Sequence, residues 1–399
     1  MTPLRLQFTA VAPLLLLPLL AGCQGQTARE EPAVPFVFRS LNLKQQDPQG
    51  RPAWQLTSPE ARYDLSRKVA QARDLRGTIF SAGKPLYRLS ATTGTVLNDG
   101  ALIQLEGLAT LERLGPQPVV VKARRVRWFP RQQRMELDQR PTASDRDLTV
   151  TADRALFLID QDKLELRGRP EFSRRTPGRP PEIVLRVSSA DWFPTTGLLS
   201  APGPVRAVRR QEGGKAPQLL ESPFLRGNTL QQRLVLQAPV RFTDRASKAW
   251  LSGGDTAIEL TRQAVVSAQP FRGQIDQLQL SGQGFELLSG QTQAVIQPGC
   301  ELRQPGEILT ARRCSWNWVT QAVEASGGVI LRRQQNNQIT RARRLDGRLG
   351  KDGLAEFSSP GSRVNTQVRV SSGKGGGNAP RREAAEAGQT QPPRRPIAL

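Results

Sequence analysis

Cys300 and Cys314, Asp160 and Asp162, and the run Arg124-Arg125-Val126-Arg127-Trp128-Phe129-Pro130 are the places where residue type and spacing could do chemistry. The two cysteines flank Pro305-Gly306. In an exported protein such a pair oxidises when its strands bring the Cα atoms within bonding reach, and the spacing leaves that register open. The aspartates could hold a cation, but a turn is a sufficient reason for them. The basic run interleaves cations and aromatics as single-strand nucleic-acid binders do. Aromatics recur at the equivalent place in Trp192-Phe193-Pro194, Phe157 and Trp316, however, so packing between sheets is the expectation and nucleic acid is not an expected partner. Arg124, Arg125 and Arg127 then form a solvated strand face, or alternatively touch the phosphates of a lipid headgroup. The chain has no histidine. That removes the commonest general base and the commonest metal ligand. No phosphate loop, nucleophile setting or opposed carboxylate pair stands out, so no catalytic residue, metal or cofactor is expected. A formal charge of +22 points to an anionic partner.

The segments that would carry such chemistry follow in order. Residues 1–23 have Arg5, an apolar run from Phe8 to Leu20 broken by Pro13 and Pro18, and then Leu20-Ala21-Gly22-Cys23. The run is too short to span a bilayer but suits a signal-peptide core, and the tetrapeptide looks like a lipobox, making Cys23 the expected site of lipidation. The alternative is an ordinary secretory signal. Several acyl chains on one residue would give stable anchoring. Residues 24–37 read as a flexible tether and residues 371–399, rich in Gly, Ala, Gln, Pro and Arg, as a disordered tail. Ser173–Pro181 and Arg209–Gln218 read as surface loops.

Between them, residues 38–370 repeat one pattern. Asn98-Asp99-Gly100 supplies a tight reversal between two alternating runs, and Ala91 is followed sixteen residues later by Gly107. The same spacing recurs ten times, with starts 28 to 35 residues apart. Two positions before each closing residue stand Leu75, Leu105, Leu137, Leu166, Leu236 and Ala268; four before stand Arg73, Ile103, Met135, Leu164, Leu234 and Val266. Nine of ten residues in each column are apolar, which means stacked strands sharing one apolar face. Aromatics are only 5% of the chain, too few for a large globular core. Ten units with one strand in each of two sheets imply a stack of about 50 Å at ~4.8 Å per strand.

The ordered series Asp47…Gly50, Trp54-Gln55-Leu56, Ser58, Ala61, Tyr63-Asp64, Gly77, Tyr87-Arg88-Leu89-Ser90-Ala91, Gly94 and Ile103-Gln104-Leu105-Glu106-Gly107 resembles the LptC family. These are periplasmic bridge components of the lipopolysaccharide export ABC transporter. The later units resemble the related LptA/OstA β-repeat. The resemblance implies an all-β fold, an elongated antiparallel β-jellyroll whose two sheets lean together as a V. It also implies a non-enzymatic role: a lipid-anchored periplasmic protein at the inner membrane that takes lipopolysaccharide or a related glycolipid from ABC-transporter permeases. It would hand the lipid to LptA/OstA-like jellyrolls joined by edge-strand pairing. This chain is longer than a usual LptC and has no transmembrane helix in its leader, so permease docking residues do not carry over. Ile103, Leu105, Met135, Leu137, Leu164, Leu166, Leu234 and Leu236 are the expected lipid-groove or core residues. The alternative is a structural or adhesive envelope β-repeat whose interior is packed shut.

Overall fold

The computed structural model describes residues 36–367 apart from 117, 146–147, 175–182, 212–213, 215, 335–336, 349–354 and 362. The leader with Cys23, nearly all of the tether, most of the 173–181 loop and the 371–399 tail lie outside the described residues. Alternating apolar and polar residues, punctuated by left-handed turn residues, give strands joined by tight turns, and the pairings are antiparallel along the whole stack. At the predicted reversal Asn98, Asp99 and Gly100 all have positive φ (49°, 52° and 90°).

Two walls face each other. Along one long edge, the spine, the chain passes from wall to wall. Long strands such as Leu102–Arg113 and Leu198–Arg209 bend there through a register break, at Glu106/Ala109 and Pro202/Val205. Elsewhere one strand stops and the next begins in the other wall, as from Ala264–Ser267 to Phe271–Ile275. Along the opposite edge, the rim, each wall ends in hairpin turns. Most closing residues of the sequence repeat are spine corners, an exception being Gly77, which pairs with Leu56 and Leu89 three residues past the corner at Asp74. Gly107, Gln139, Gly168 and Gly327 are left-handed there, and Gly203-Pro204, Ala238-Pro239 and Gln297-Pro298 are cis. A Cβ on Gly107 or Gly168 would lie 2.7 Å from the Cβ of Thr92 or Asp153, so close approach as well as φ selects glycine.

The registers correct two expectations. Ile103 pairs with Trp128, Trp128 with Met135, Met135 with Phe157 and Phe157 with Leu164, so both sequence columns run down one wall, the second. The first wall has its own column, through Leu56, Leu89, Leu111, Val121 and Val150 to Leu251, Leu280 and Leu331. Each repeat thus supplies two strands to each wall, not one. Roughly twenty strand positions follow one another in each wall, a run of ~100 Å rather than ~50 Å. In the seventh unit the column passes through Val265, which pairs with Ile258 and Leu287, and not through Val266. A one-residue slip exchanges the faces, so Ser267 also replaces Ala268. In the first unit Ala70 and Ala72 take the places of Arg73 and Leu75, because a left-handed Asp74 (φ 48°) bends the strand between them.

From Trp54 to Val240 the walls mesh into one continuous core. Spine positions of the first wall are mostly small, as at Ala91, Ala109 and Ala123, while in the second wall Ala155, Ala190 and Ala201 share their row with Leu105, Leu137, Leu166 and Leu225. Further from the spine, large rings meet across the gap. Trp54 crosses Trp128 edge-on with centroids 5.5 Å apart, and Tyr87 crosses Phe157 at 5.2 Å. The Tyr87 hydroxyl donates to Asp162 on a rim turn of the opposite wall, and Asp162 also accepts the Thr195 N–H at 2.7 Å. Burial and the Asp162 carboxylate push the Tyr87 pKa up. Asp162 is therefore occupied as a clasp between walls. Trp192 is fully buried, and its indole N–H donates to Thr229 Oγ1 at 3.3 Å. Of the basic run, Arg125 pairs with Glu106 and Arg127 with Glu136 and Asp138 on the outer face.

Trp128→Ala would remove a buried ring whose loss costs ~3–5 kcal/mol in a core. In a stack where each strand touches only its neighbours, the damage stays local. Hydrogen exchange is expected to accelerate in Pro52–Ser58, Leu102–Arg113 and Arg134–Asp138 and to be unchanged in Ala322–Arg333. Uniform acceleration would mean that the stack unfolds as one unit.

Candidate functional site: an apolar cavity between the walls

Beyond Val240 the size pattern changes at the spine. Phe271 and Phe285 stand beside the spine, one on each wall, with ring centroids 5.0 Å apart and both nearly fully buried. Further out, Gly273 and Leu280 in the first wall share a row with Phe242, and Val265, Leu287 and Ala294 in the second share one with Trp316. The two rings meet at the hinge, and the side chains beyond them leave space between the walls. The result is a cavity of about 130 Å³, lined by side chains including Phe242, Leu251, Leu280, Leu287, Leu302 and Trp316. Ile275, Leu278 and the half-exposed Trp250 border it as well. These interior residues are only partly buried, whereas their counterparts from Trp54 to Val240 are sealed.

A specific interaction stands toward each end of the cavity. At one end Asp244 is buried and accepts from Gln218 Nε2 at 3.0 Å, Gln211 Nε2 at 3.2 Å and the Ala246 N–H at 2.9 Å. Burial works against its charge, but the hydrogen bonds from Gln218, Ser247 and Gln211 outweigh it and hold the pKa below the usual carboxylate value. At the other end Cys300, in the first wall, is disulfide-bonded to Cys314, in the second, with Cα atoms 5.9 Å apart. Beyond that bond Leu309, Ala311, Ala325, Val329 and Leu331 form a second, smaller core. Inside the cavity the chemistry is almost wholly apolar, and two buried polar atoms of its lining, Ser247 Oγ and the Trp316 indole nitrogen, have no hydrogen-bond partner. The Trp316 indole N–H can therefore donate to an oxygen on a bound molecule. Among the described residues no group of three or more His, Cys, Asp or Glu could hold a metal ion.

The expected groove residues lie inside the walls, but not here. Ile103, Leu105, Met135, Leu137, Leu164, Leu166 and Leu236 are at most 2% exposed and pack across the sealed stretch. Leu234 is partly buried at its margin, paired with Ile258. None of the eight lines the cavity. The signal that marks the cavity residues is the exchange of small for large at the spine, at Phe271 and Phe285, and it becomes readable only once the two walls are aligned.

Residues 14–171 match the family model described as lipopolysaccharide-assembly, LptC-related. No curated protein matches the chain. Among solved structures, the chain is similar to LptH, the LptA-homologous periplasmic component of the lipopolysaccharide transport device of Pseudomonas aeruginosa. The two are 16% identical over 29% of this chain and 82% of that one, with a TM-score of 0.26, a likeness too slight to build on.

A carboxylate whose folded pKa lies below its unfolded value of ~3.9 adds stability that is fully present above that value. The contribution is lost as pH falls through the folded pKa. Fluorescence of Trp250, Trp316 and Trp318 is therefore expected to stay constant from neutral pH to about 5 and to change below ~4. Asp244→Asn should lose the acid-dependent step, and Asp244→Ala should cost ~1–3 kcal/mol locally by leaving buried amides without an acceptor.

Proposed function

We propose that this protein is a non-enzymatic lipid carrier of the lipopolysaccharide-assembly system that holds acyl chains of a glycolipid in the cavity between Asp244 and the Cys300–Cys314 bond. The observation that carries the reading is the local parting of the walls: an apolar interior, sealed from Trp54 to Val240, opens beyond Phe271 and Phe285. The match of residues 14–171 to a lipopolysaccharide-assembly family supports the choice of lipid. A cavity near 130 Å³ is close to the ~150 Å³ of a dry engineered cavity that takes up benzene, so it accommodates a short stretch of acyl chain. Each methylene removed from water contributes ~0.8 kcal/mol, and the Trp316 N–H is placed for an ester or amide oxygen. A passive site of this kind only equilibrates lipid, so direction comes from the ABC transporter upstream.

The remaining parts of the proposal follow the same reading. Cys23 carries the lipid anchor at the periplasmic face of the inner membrane, residues 24–37 lead from it to the stack, which their last two, Phe36 and Val37, already join by pairing with Tyr63 and Arg62, and the residues from there to 370 form a single jellyroll. Phe36–Phe38 and Leu41–Gln46 at one end, and Ala355–Ser358 and Asn365–Gln367 at the other, are the last strands among the described residues. Edge strands of this kind offer backbone groups for pairing with LptA/OstA-like jellyrolls. A second reading, a purely structural envelope repeat, is favoured by the length of the sealed core. The two differ in whether anything enters the cavity.

A photo-reactive residue at Leu280 or Leu287 is expected to crosslink to glycolipid in cells, and one at Leu105 is not. For delipidated protein, saturable uptake of a fluorescent acyl lipid is expected, and Leu280→Asp with Leu287→Asp should weaken it at least ~10-fold by placing unpaired charge in the cavity. Folded protein with no crosslink at either cavity position and no saturable uptake would leave the structural reading.

A further inference from the structure

Five hairpin turns follow one another along the rim of the second wall, at 194–197, 229–232, 260–263, 289–292 and 318–321. Each is joined to the next by a backbone bond: Thr229 N–H to Gly197 O at 2.8 Å, Leu260 to Gln232 at 3.0 Å, Ser289 to Gln263 at 3.0 Å and Trp318 to Thr292 at 3.1 Å. Successive turns are two strands apart, so the row makes a ridge of about 40 Å at ~4.8 Å per strand. Leu230, Leu260 and Val319 on these turns, and Leu198 directly after the first of them, are all exposed.

The same rim changes character along its length. Toward the amino terminus every turn carries exposed charge: Arg67 and Lys68 on the first, then Asp99, Arg131 and Asp160. On the five turns from 194 to 321 the exposed residues are Thr, Gln, Ser, Gly, Leu and Val, with a single charge, Arg262, which is bonded to Glu259 and Glu286. The facing lip, on the first wall, is built differently. Arg245 and Lys248 are exposed on its turn, and the half-exposed Trp250 stands beside them. The apolar cavity lies between these two lips, with Trp250 and Trp318 both on its border.

We infer that the ridge rests in the headgroup layer of a phospholipid bilayer, with Leu230, Leu260 and Val319 reaching below the phosphates and Arg245 and Lys248 at their level. Apolar tips among uncharged Thr and Gln enter that boundary without burying an unpaired charge, which the charged turns nearer the amino terminus would do. Cations and an indole are the groups that settle beside headgroups. A ridge of turn tips has no concavity to hold a helix, and its turns are bonded to one another, so they present no free strand edge. The choice of a bilayer over a protein rests on the reading of the cavity as an acyl-chain site: a bilayer is where such chains are held, and the ridge runs along the cavity.

In the full-length protein, a polarity-sensitive fluorescent amino acid at Leu230 or Leu260 is expected to shift to the blue on neutral phosphatidylcholine vesicles and to be quenched by a nitroxide carried just below the lipid headgroup. The same probe at Leu108, an exposed leucine at the spine, should stay in water. All three proteins keep the same charge and the same amino-terminal segment, so those contributions cancel. Leu230→Gln/Leu260→Gln/Val319→Gln, all exposed positions, should weaken vesicle binding at least ~10-fold and leave uptake of a micelle-dispersed fluorescent acyl lipid unchanged. Rim probes that stay in water, or quenching equal to that at Leu108, would overturn the docking even where uptake into the cavity is seen. Quenched rim probes without uptake would support the docking and reject the acyl-chain reading of the cavity. A blue shift that follows protein concentration without vesicles would overturn the docking and mark the ridge as a contact between two copies of the chain.

Discussion

The structure depends on whether side chains from opposite walls reach each other. In two sheets joined along one edge, the gap widens with distance from the spine, so the volume needed to fill it grows outward. From Trp54 to Val240 the first wall follows that taper, and in the second leucines such as Leu137 and Leu166 share the spine with alanines. Alanines such as Ala91, Ala123 and Ala190 sit at the spine, and Trp54, Trp128, Tyr87 and Phe157 sit further out. Dispersion and burial then act over the full width, as in any close-packed interior. At Phe271 and Phe285 bulk stands at the hinge, and beyond it Gly273, Leu280 and Ala294 alternate with Phe242 and Trp316 without filling the gap. The same alternation of apolar and polar residues thus gives a shut interior in one stretch and a hollow one in another.

A hollow stretch still needs support, and here it comes from the backbone. Rim turns of the second wall are laced to one another: Leu260 N–H bonds Gln232 O at 3.0 Å, Ser289 bonds Gln263 at 3.0 Å, and Trp318 bonds Thr292 at 3.1 Å. Gln232, Gln263 and Thr292, whose carbonyls accept these bonds, are all left-handed, with φ of 53°, 49° and 52°. At the spine the Cys300–Cys314 bond ties the walls where the side-chain core is thinnest. Because each strand contacts only its neighbours, these local devices are sufficient, and the open stretch does not weaken the sealed one.

Much of this was legible in the sequence, and the limits are physical. Period-2 alternation marked Ile103, Leu105, Leu164 and Leu166 as interior, and the registers place them there. The spacing of the closing glycines was real, but a left-handed glycine serves a hairpin and a sheet-to-sheet corner alike, so Gly107 could not tell the two apart. The count of strands per wall followed that ambiguity and came out half as large. The seventh unit closes at Gln269, one residue before Pro270, so the frame slipped by one and sent Val266 to the wrong face. The cavity was not legible, because it depends on which residue of one wall opposes which residue of the other. Phe271 and Phe285 are close in sequence, but nothing in their spacing says that their rings meet.

The sealed stretch also bears on how a lipid would enter. An acyl chain moving end to end through the interior would have to part Trp54 from Trp128 and Tyr87 from Phe157 and break the Tyr87–Asp162 bond. Each ring buries ~150–250 Å², so exposing one costs ~4–6 kcal/mol at ~25 cal/mol per Å². Several in succession make the open form too rare to serve as a path. Entry between the rim turns flanking Trp250 and Trp316 breaks no such contact, since those walls already stand apart. The route that leaves the core intact is therefore lateral, across the rim, with the long sealed portion acting as a rigid spacer that sets how far the cavity stands from the amino-terminal end.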